Sequence, residues 1–154
     1  MLRDSGKRID AIDAVLAAGV QEPVELINRV EALETARTNE PETFENLATA
    51  YARANNLRDP KLGSEVDESL LTEVEHALST AVVQAETRVS MALDNDNYAE
   101  ALNELASLRK PIDLFFERVM IMDEDQVLRE NRLKLLNRFV NVFTNVADFS
   151  LLSK

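Results

Sequence analysis

The amino-acid sequence predicts an all-α fold, a helical bundle of about seven helices in a single domain over residues 1–154, on three observations. Only three glycines and four prolines occur in 154 residues, and so few helix breakers favour long helices. Apolar residues recur at helical spacing in one segment after another, with no strand-like alternation and no Asn-Gly hairpin turn. Hydrophobic residues make up 45% of the chain, enough apolar surface to build a core, so wholesale disorder is not expected.

Each element follows from local pattern. "RIDAIDAVLAAG" places Ile9, Ile12, Val15 and Leu16 on one helical face, and Gly19 can take the left-handed C-cap. Pro23 stands near the start of a second helix with the stripe Val24, Ile27, Val30 and Leu33. Asn39 is the expected N-cap of a third, whose buried face is Phe44, Leu47, Ala48 and Tyr51. "RDPKLGSEVDES" is the clearest loop. Residues 67–93 form the longest periodic run, from Leu70 and Leu71 through Val74, Leu78, Val82 and Val89 to Leu93.

Asp96 is placed to cap a helix bearing Tyr98, Ala101, Leu102 and Leu105, and Pro111 to open a short one bearing Ile112, Phe115, Phe116 and Val119. The last helix is expected to begin at Asp123, with Gln126 reaching back in a capping box. Its stripe is Leu128, Leu135, Leu136, Phe139, Val142, Phe143 and Val146. The helices share no fixed period, which argues against a solenoid.

Several function classes find no residues to carry them. Absence of cysteine removes disulfides and thiolate chemistry, and a reducing, cytoplasmic setting fits. No apolar run approaches the ~20 residues of a membrane span, and "MLRDSGKRID" lacks the apolar core of a secretory signal. That segment enters a helical pattern without preamble, as a piece of a longer chain would. Gly6, Gly19 and Gly63 are too scattered to cradle a phosphate. Glu73 and His76 give one Glu-x-x-His where a di-metal bundle needs two, and "DEDQ" lacks the glycine and distal glutamate of a calcium loop. No catalytic residues, metal ligands or cofactor site are expected. The net charge of -11, from 28 acids against 17 lysines and arginines, repels anionic membranes and DNA. Any RNA contact therefore needs a local basic surface.

One cation stands out. Leu128, Arg132, Leu135, Leu136 and Phe139 share a side of the last helix, so Arg132 lies on the buried stripe or at a helix seam. A desolvated guanidinium must be paired. Asp113 is the expected partner in a structural ion pair, with Glu117 and Asp148 as alternatives.

The same region carries a family resemblance. "LASLRKPIDLFFERVMIMDEDQVLRENRLKLLNRF" and the tail "VADFSLL" resemble the C-terminal end of bacterial glycyl-tRNA synthetase beta subunits. "IDAIDAVLAAG" and "PVELINRVEAL" are similar to earlier segments of that family, in the same order. The last third also resembles the helical anticodon-binding domain of arginyl-tRNA synthetases, the DALR domain. The resemblance implies a helix bundle that receives the anticodon stem-loop of glycine tRNA. It would be a non-catalytic part of a ligase with two alpha and two beta subunits that uses ATP and magnesium, its aminoacylation site mainly in the alpha subunit. Where the family commonly shows a Lys-Arg pair, this chain has Tyr51 and Ala52, followed by Arg53.

Reading splayed bases takes planar groups and hydrogen bonds, and holding phosphates takes cations. Tyr51, Arg53, Asn55 and Arg58, with Lys61 and Arg129, are the candidate tRNA-binding residues. The rival reading is an acidic helical protein-interaction module that binds no RNA. A contiguous basic patch on an otherwise negative molecule favours the first; scattered cations favour the second.

Overall fold

The computed structural model describes the backbone of residues 2–20, 22–147 and 149, and the side chains of these from residue 10 onward. The helices are α1 (Leu2–Ala17), α2 (Pro23–Asn39), α3 (Pro41–Leu57), α4 (Glu73–Asp94), α5 (Tyr98–Ala106), α6 (Arg109–Arg118) and α7 (Gln126–Thr144). Two 3-10 turns, Pro60–Leu62 and Glu68–Leu70, interrupt the segment between α3 and α4. No strand occurs among the described residues. The expected all-α bundle is therefore the observed architecture.

α7 is the axis of the molecule. Leu133, Leu135, Leu136, Phe139, Val140, Val142 and Phe143 are all buried, so the helix is covered on nearly every side. α3 and α4 pack directly on it, α6 bridges α3 and α4, and α5 lies against α4 and α2. α1 pairs with α2 at the periphery. The carboxyl half of α7 sits in an aromatic cluster. Phe143 lies 4.9 Å from Phe139, 5.0 Å from Phe149 and 5.6 Å from Tyr51 by ring centroids.

Several element boundaries differ from the expected ones, for local chemical reasons. α4 starts at Glu73 rather than 67: Leu70 ends a 3-10 turn, and Thr72, the N-cap, directs both its amide (3.0 Å) and its hydroxyl (2.6 Å) to Glu75 Oε2. Asn39 ends α2 instead of capping α3, whose N-cap is Glu40 ahead of Pro41. Asn97, not Asp96, caps α5 by accepting the Glu100 amide, while Asp96 takes a left-handed φ of 55°. α6 begins two residues before Pro111, at a first-turn position where a missing N–H leaves no intrahelical bond unmade. Asp125, not Asp123, caps α7 by accepting from the amides of Val127 and Leu128.

Two apolar stripes are buried only in part. Val30 and Leu33 of α2 are buried, yet Val24 and Ile27 are 62% and 55% exposed. On α1, Val15 is buried with Ala11 and Ala14 while Leu16 faces out; the side chain of Ile9 lies outside the described residues. Gly19, at φ 91°, does take the left-handed turn that ends the first helical stretch.

Candidate nucleic-acid interface

Side-chain pairs fix how the elements meet. Tyr51 approaches Thr144 and Arg58 approaches Asn137, so α3 and α7 run antiparallel. Thr43 meets Arg109, Asn46 meets Asp113, and Arg53 meets Phe116, so α3 and α6 run parallel. The carboxyl ends of α3 and α6, the irregular 58–72 segment and the amino half of α7 therefore gather at one end of the bundle.

This end collects cations that carboxylates do not claim. Arg53, Arg58, Lys61, Arg118, Arg129 and Lys134 have no carboxylate within ion-pair distance among the described residues. Elsewhere most described cations are committed, Lys110 excepted. Arg29 pairs with Glu25, Arg37 with Asp10 and Glu34, Arg88 with Glu104, and Arg138 grips Glu86 through Nε and Nη2. Several acids at the cationic end are turned onto backbone amides. Asp59 accepts from the Lys61 amide, and Asp67 from the amide and hydroxyl of Ser69. Those Ser69 bonds hold the Asp67 carboxyl below its usual range, and Lys134 adds to the effect.

The candidate residues fall into different surroundings. Arg53 is exposed and lies over the Phe116 ring, 4.2 Å from its centroid. Asn55 is exposed and accepts from Arg58 Nε at 3.1 Å; Arg58 Nη1 donates to Asn137 Oδ1 at 3.3 Å. Lys61 is exposed on the first 3-10 turn. Arg129 is half-buried and donates to the Asp123 carbonyl. Tyr51 does not join them. It is 3% exposed, inside the aromatic cluster, so its ring offers no stacking face to a base. Its planar ring made it a candidate, and the helical spacing that put it on the buried face of α3 makes it core.

Arg132 is buried and paired, as its place on the stripe demands, but its partner is not Asp113. Nε donates to Glu75 Oε1 at 2.9 Å, and Nη1 to the Met120 carbonyl (2.6 Å) and Asp123 Oδ2 (3.3 Å). Asp113 instead accepts from Asn46 and lies 4.0 Å from Arg109; Asp148 lies outside the described residues. The arginine thus joins α7 to α4 and to the 119–125 connection, rather than to α6. Burial pushes the Glu75 carboxyl up, but hydrogen bonds from Thr72 and Arg132 outweigh it and leave the group below its ordinary value.

Two residues central to this end carry no obvious mark in the sequence. Asn131 and Asn137 are 4% and 1% exposed. Asn137 Nδ2 donates to the carbonyls of Asp59 (2.8 Å) and Gly63 (2.6 Å). Asn131 exchanges two bonds with the Asp67 backbone, at 2.8 and 3.1 Å. The one available signal is placement: both interrupt the otherwise apolar faces of α7. Among the described residues no three potential metal ligands lie together, and no helix is long and apolar enough to cross a membrane.

The family model described as DALR anticodon binding domain matches residues 47–150. Over 99% of its length the chain is 43% identical to the glycine–tRNA ligase beta subunit of Vibrio cholerae, covering 22% of that protein. It is 40% identical over 97% of its length to the same subunit of Syntrophus aciditrophicus, and 42% identical over 99% to that of Vibrio parahaemolyticus, again covering 22% of each. The chain therefore spans about a fifth of the length of the curated relatives it matches.

Proposed function

The chain belongs to the DALR anticodon binding domain family, and from that premise we propose that it receives the anticodon stem-loop of glycine tRNA as part of a glycine–tRNA ligase beta subunit. The observation that carries the reading is the family match over residues 47–150 together with near full-length similarity to those subunits. The uncommitted cations at one end of an acidic molecule, where they stand among acids such as Glu65 and Glu117, supply the local attraction for phosphates.

In this reading Lys61, Arg58 and Lys134 hold phosphates. Arg53 presents a planar guanidinium and Asn55 an amide to unstacked bases. Arg129 contributes charge at the margin. Chemistry lies elsewhere in the ligase: ATP, magnesium and the alpha subunit act on parts of the assembly outside this chain, in the cytoplasm. Docking here orients the acceptor end toward them.

A titration with glycine tRNA and an anticodon-altered control tests the proposal. Tighter binding of glycine tRNA is expected, with affinity falling steeply as salt rises. Equal affinity for both would remove the anticodon-reading claim. No binding to either, in the isolated chain and in the complete ligase alike, would return the chain to the rival class of acidic protein-interaction module.

A further inference from the structure

We propose that the 58–67 segment grips the RNA phosphodiester backbone and that Asn131 and Asn137 are its positioning residues; the inference rests on the RNA-binding reading above. A connection that merely links α3 to α4 needs no pins from the central helix. This one has two, six residues apart on α7; Asn131 engages only backbone groups of the segment, and Asn137 engages two backbone carbonyls and the Arg58 guanidinium. A buried amide is costly unless bonded. Each asparagine therefore fixes the segment's path as firmly as the segment satisfies the asparagine. Gly63 completes the arrangement: its φ of 77° is a left-handed conformation suited to glycine, and its carbonyl is a bond acceptor for Asn137.

The path so fixed determines where charge sits. The segment leaves Asn137 at Asp59 and Gly63 and reaches Asn131 at Asp67, so it runs along α7 toward its amino end. Lys134 lies midway between the two asparagines on the same helix, where its charge reaches Asp67, while Lys61 stands between the two residues bonded to Asn137. Arg58 is steadied through Nε by Asn55 and through Nη1 by Asn137, which leaves Nη2 free for a phosphate oxygen. Arg58, Lys61 and Lys134 thereby lie along one path, which Asp59, Glu65 and Asp67 share; the amides of Lys61 and Ser69 orient the carboxylates of Asp59 and Asp67.

The test is the salt dependence of glycine tRNA binding for the wild type, Lys61→Gln and Asn137→Ala, with helicity recorded for each. Losing one phosphate contact lowers the slope of log affinity against log salt by about 0.7–0.9, or roughly four- to fivefold in affinity at 0.15 M salt. Lys61→Gln is expected to lose about that much with its fold unchanged. Asn137→Ala is expected to lose at least as much slope although it removes no charge, which a merely structural role would not do. Asn131→Ser, a milder change at the other pin, serves if Asn137→Ala fails to fold. A wild type that binds no RNA, as the isolated chain and within the complete ligase alike, would overturn the functional reading and this inference with it. Wild-type slopes in Lys61→Gln and in a folded asparagine variant would overturn this inference alone.

Discussion

Two stretches of α7 are held in place by opposite means. Toward its carboxyl end, Phe139, Val142 and Phe143 meet Tyr51 and Phe149, and the surroundings are helix and ring. Toward its amino end, Asn131, Arg132 and Asn137 meet backbone carbonyls, a backbone amide and two carboxylates, and the surroundings include the irregular 58–72 and 119–125 segments. Apolar packing is non-directional and roughly additive in area, so it supplies bulk stability and tolerates repacking. Hydrogen bonds to named atoms fix where a loop lies. The aromatic half holds the molecule together; the polar half decides what one end of it displays.

Substitutions on either side can break that division. Phe143→Ala should cost the most, about 4 kcal/mol by chemical denaturation, because it opens a cavity among several rings; an effect below about 1 kcal/mol would show that the cluster is not the stabilising half. Arg132→Met comes next. It strands Glu75 in the core and should cost about 3 kcal/mol, while tRNA affinity changes less than in Asn137→Ala; unchanged melting with lost binding would reverse the roles assigned here.

Acid should probe the same pair. The folded-state Glu75 value lies below the ordinary one, so its contribution is complete above about pH 4.3. It is lost as the pH falls through the lower folded-state value, since protonation removes the charge that Arg132 meets. Glu75→Gln should therefore flatten the acid limb of the stability curve, and an unaltered limb would exclude the pair as its source. Gly63→Ala, forced into a left-handed φ, should cost about 1 kcal/mol and weaken tRNA binding out of proportion. Smallest is Arg53→Ala, expected to change stability by under about 1 kcal/mol but to be visible in the salt dependence of binding.

Sequence patterning reached one half of α7 more fully than the other. Periodicity located the aromatic half and the buried face of α3, because burial at helical spacing leaves a trace in every turn. It also placed Arg132 correctly on a buried face. The partner could not be read, since Glu75 lies 57 residues away and pairing across that distance depends on how whole helices pack. Helix starts were missed by a few residues wherever adjacent acids or asparagines offered rival caps, as at Asp96 and Asn97 or Asp123 and Asp125. Tyr51 looked like a platform because an aromatic ring looks the same in sequence whether it meets a base or a phenylalanine. Asn131 and Asn137 are illegible in the sequence for the converse reason: an asparagine in a helix looks the same whether or not a loop is bonded to it.

Arg29 carries a last consequence. Its Nη1 donates to the carbonyls of Asn145 and Val146, more than a hundred positions along the chain. α7 has no basic residue in its own final turn, so α2 supplies the positive group that the exposed carbonyls favour. In a chain that emerges from the ribosome amino end first, α2 is made long before those carbonyls exist. That clasp can close only when synthesis has passed residue 146, which makes the α1–α2 hairpin, made ahead of the helices it packs on, among the last to find its seat.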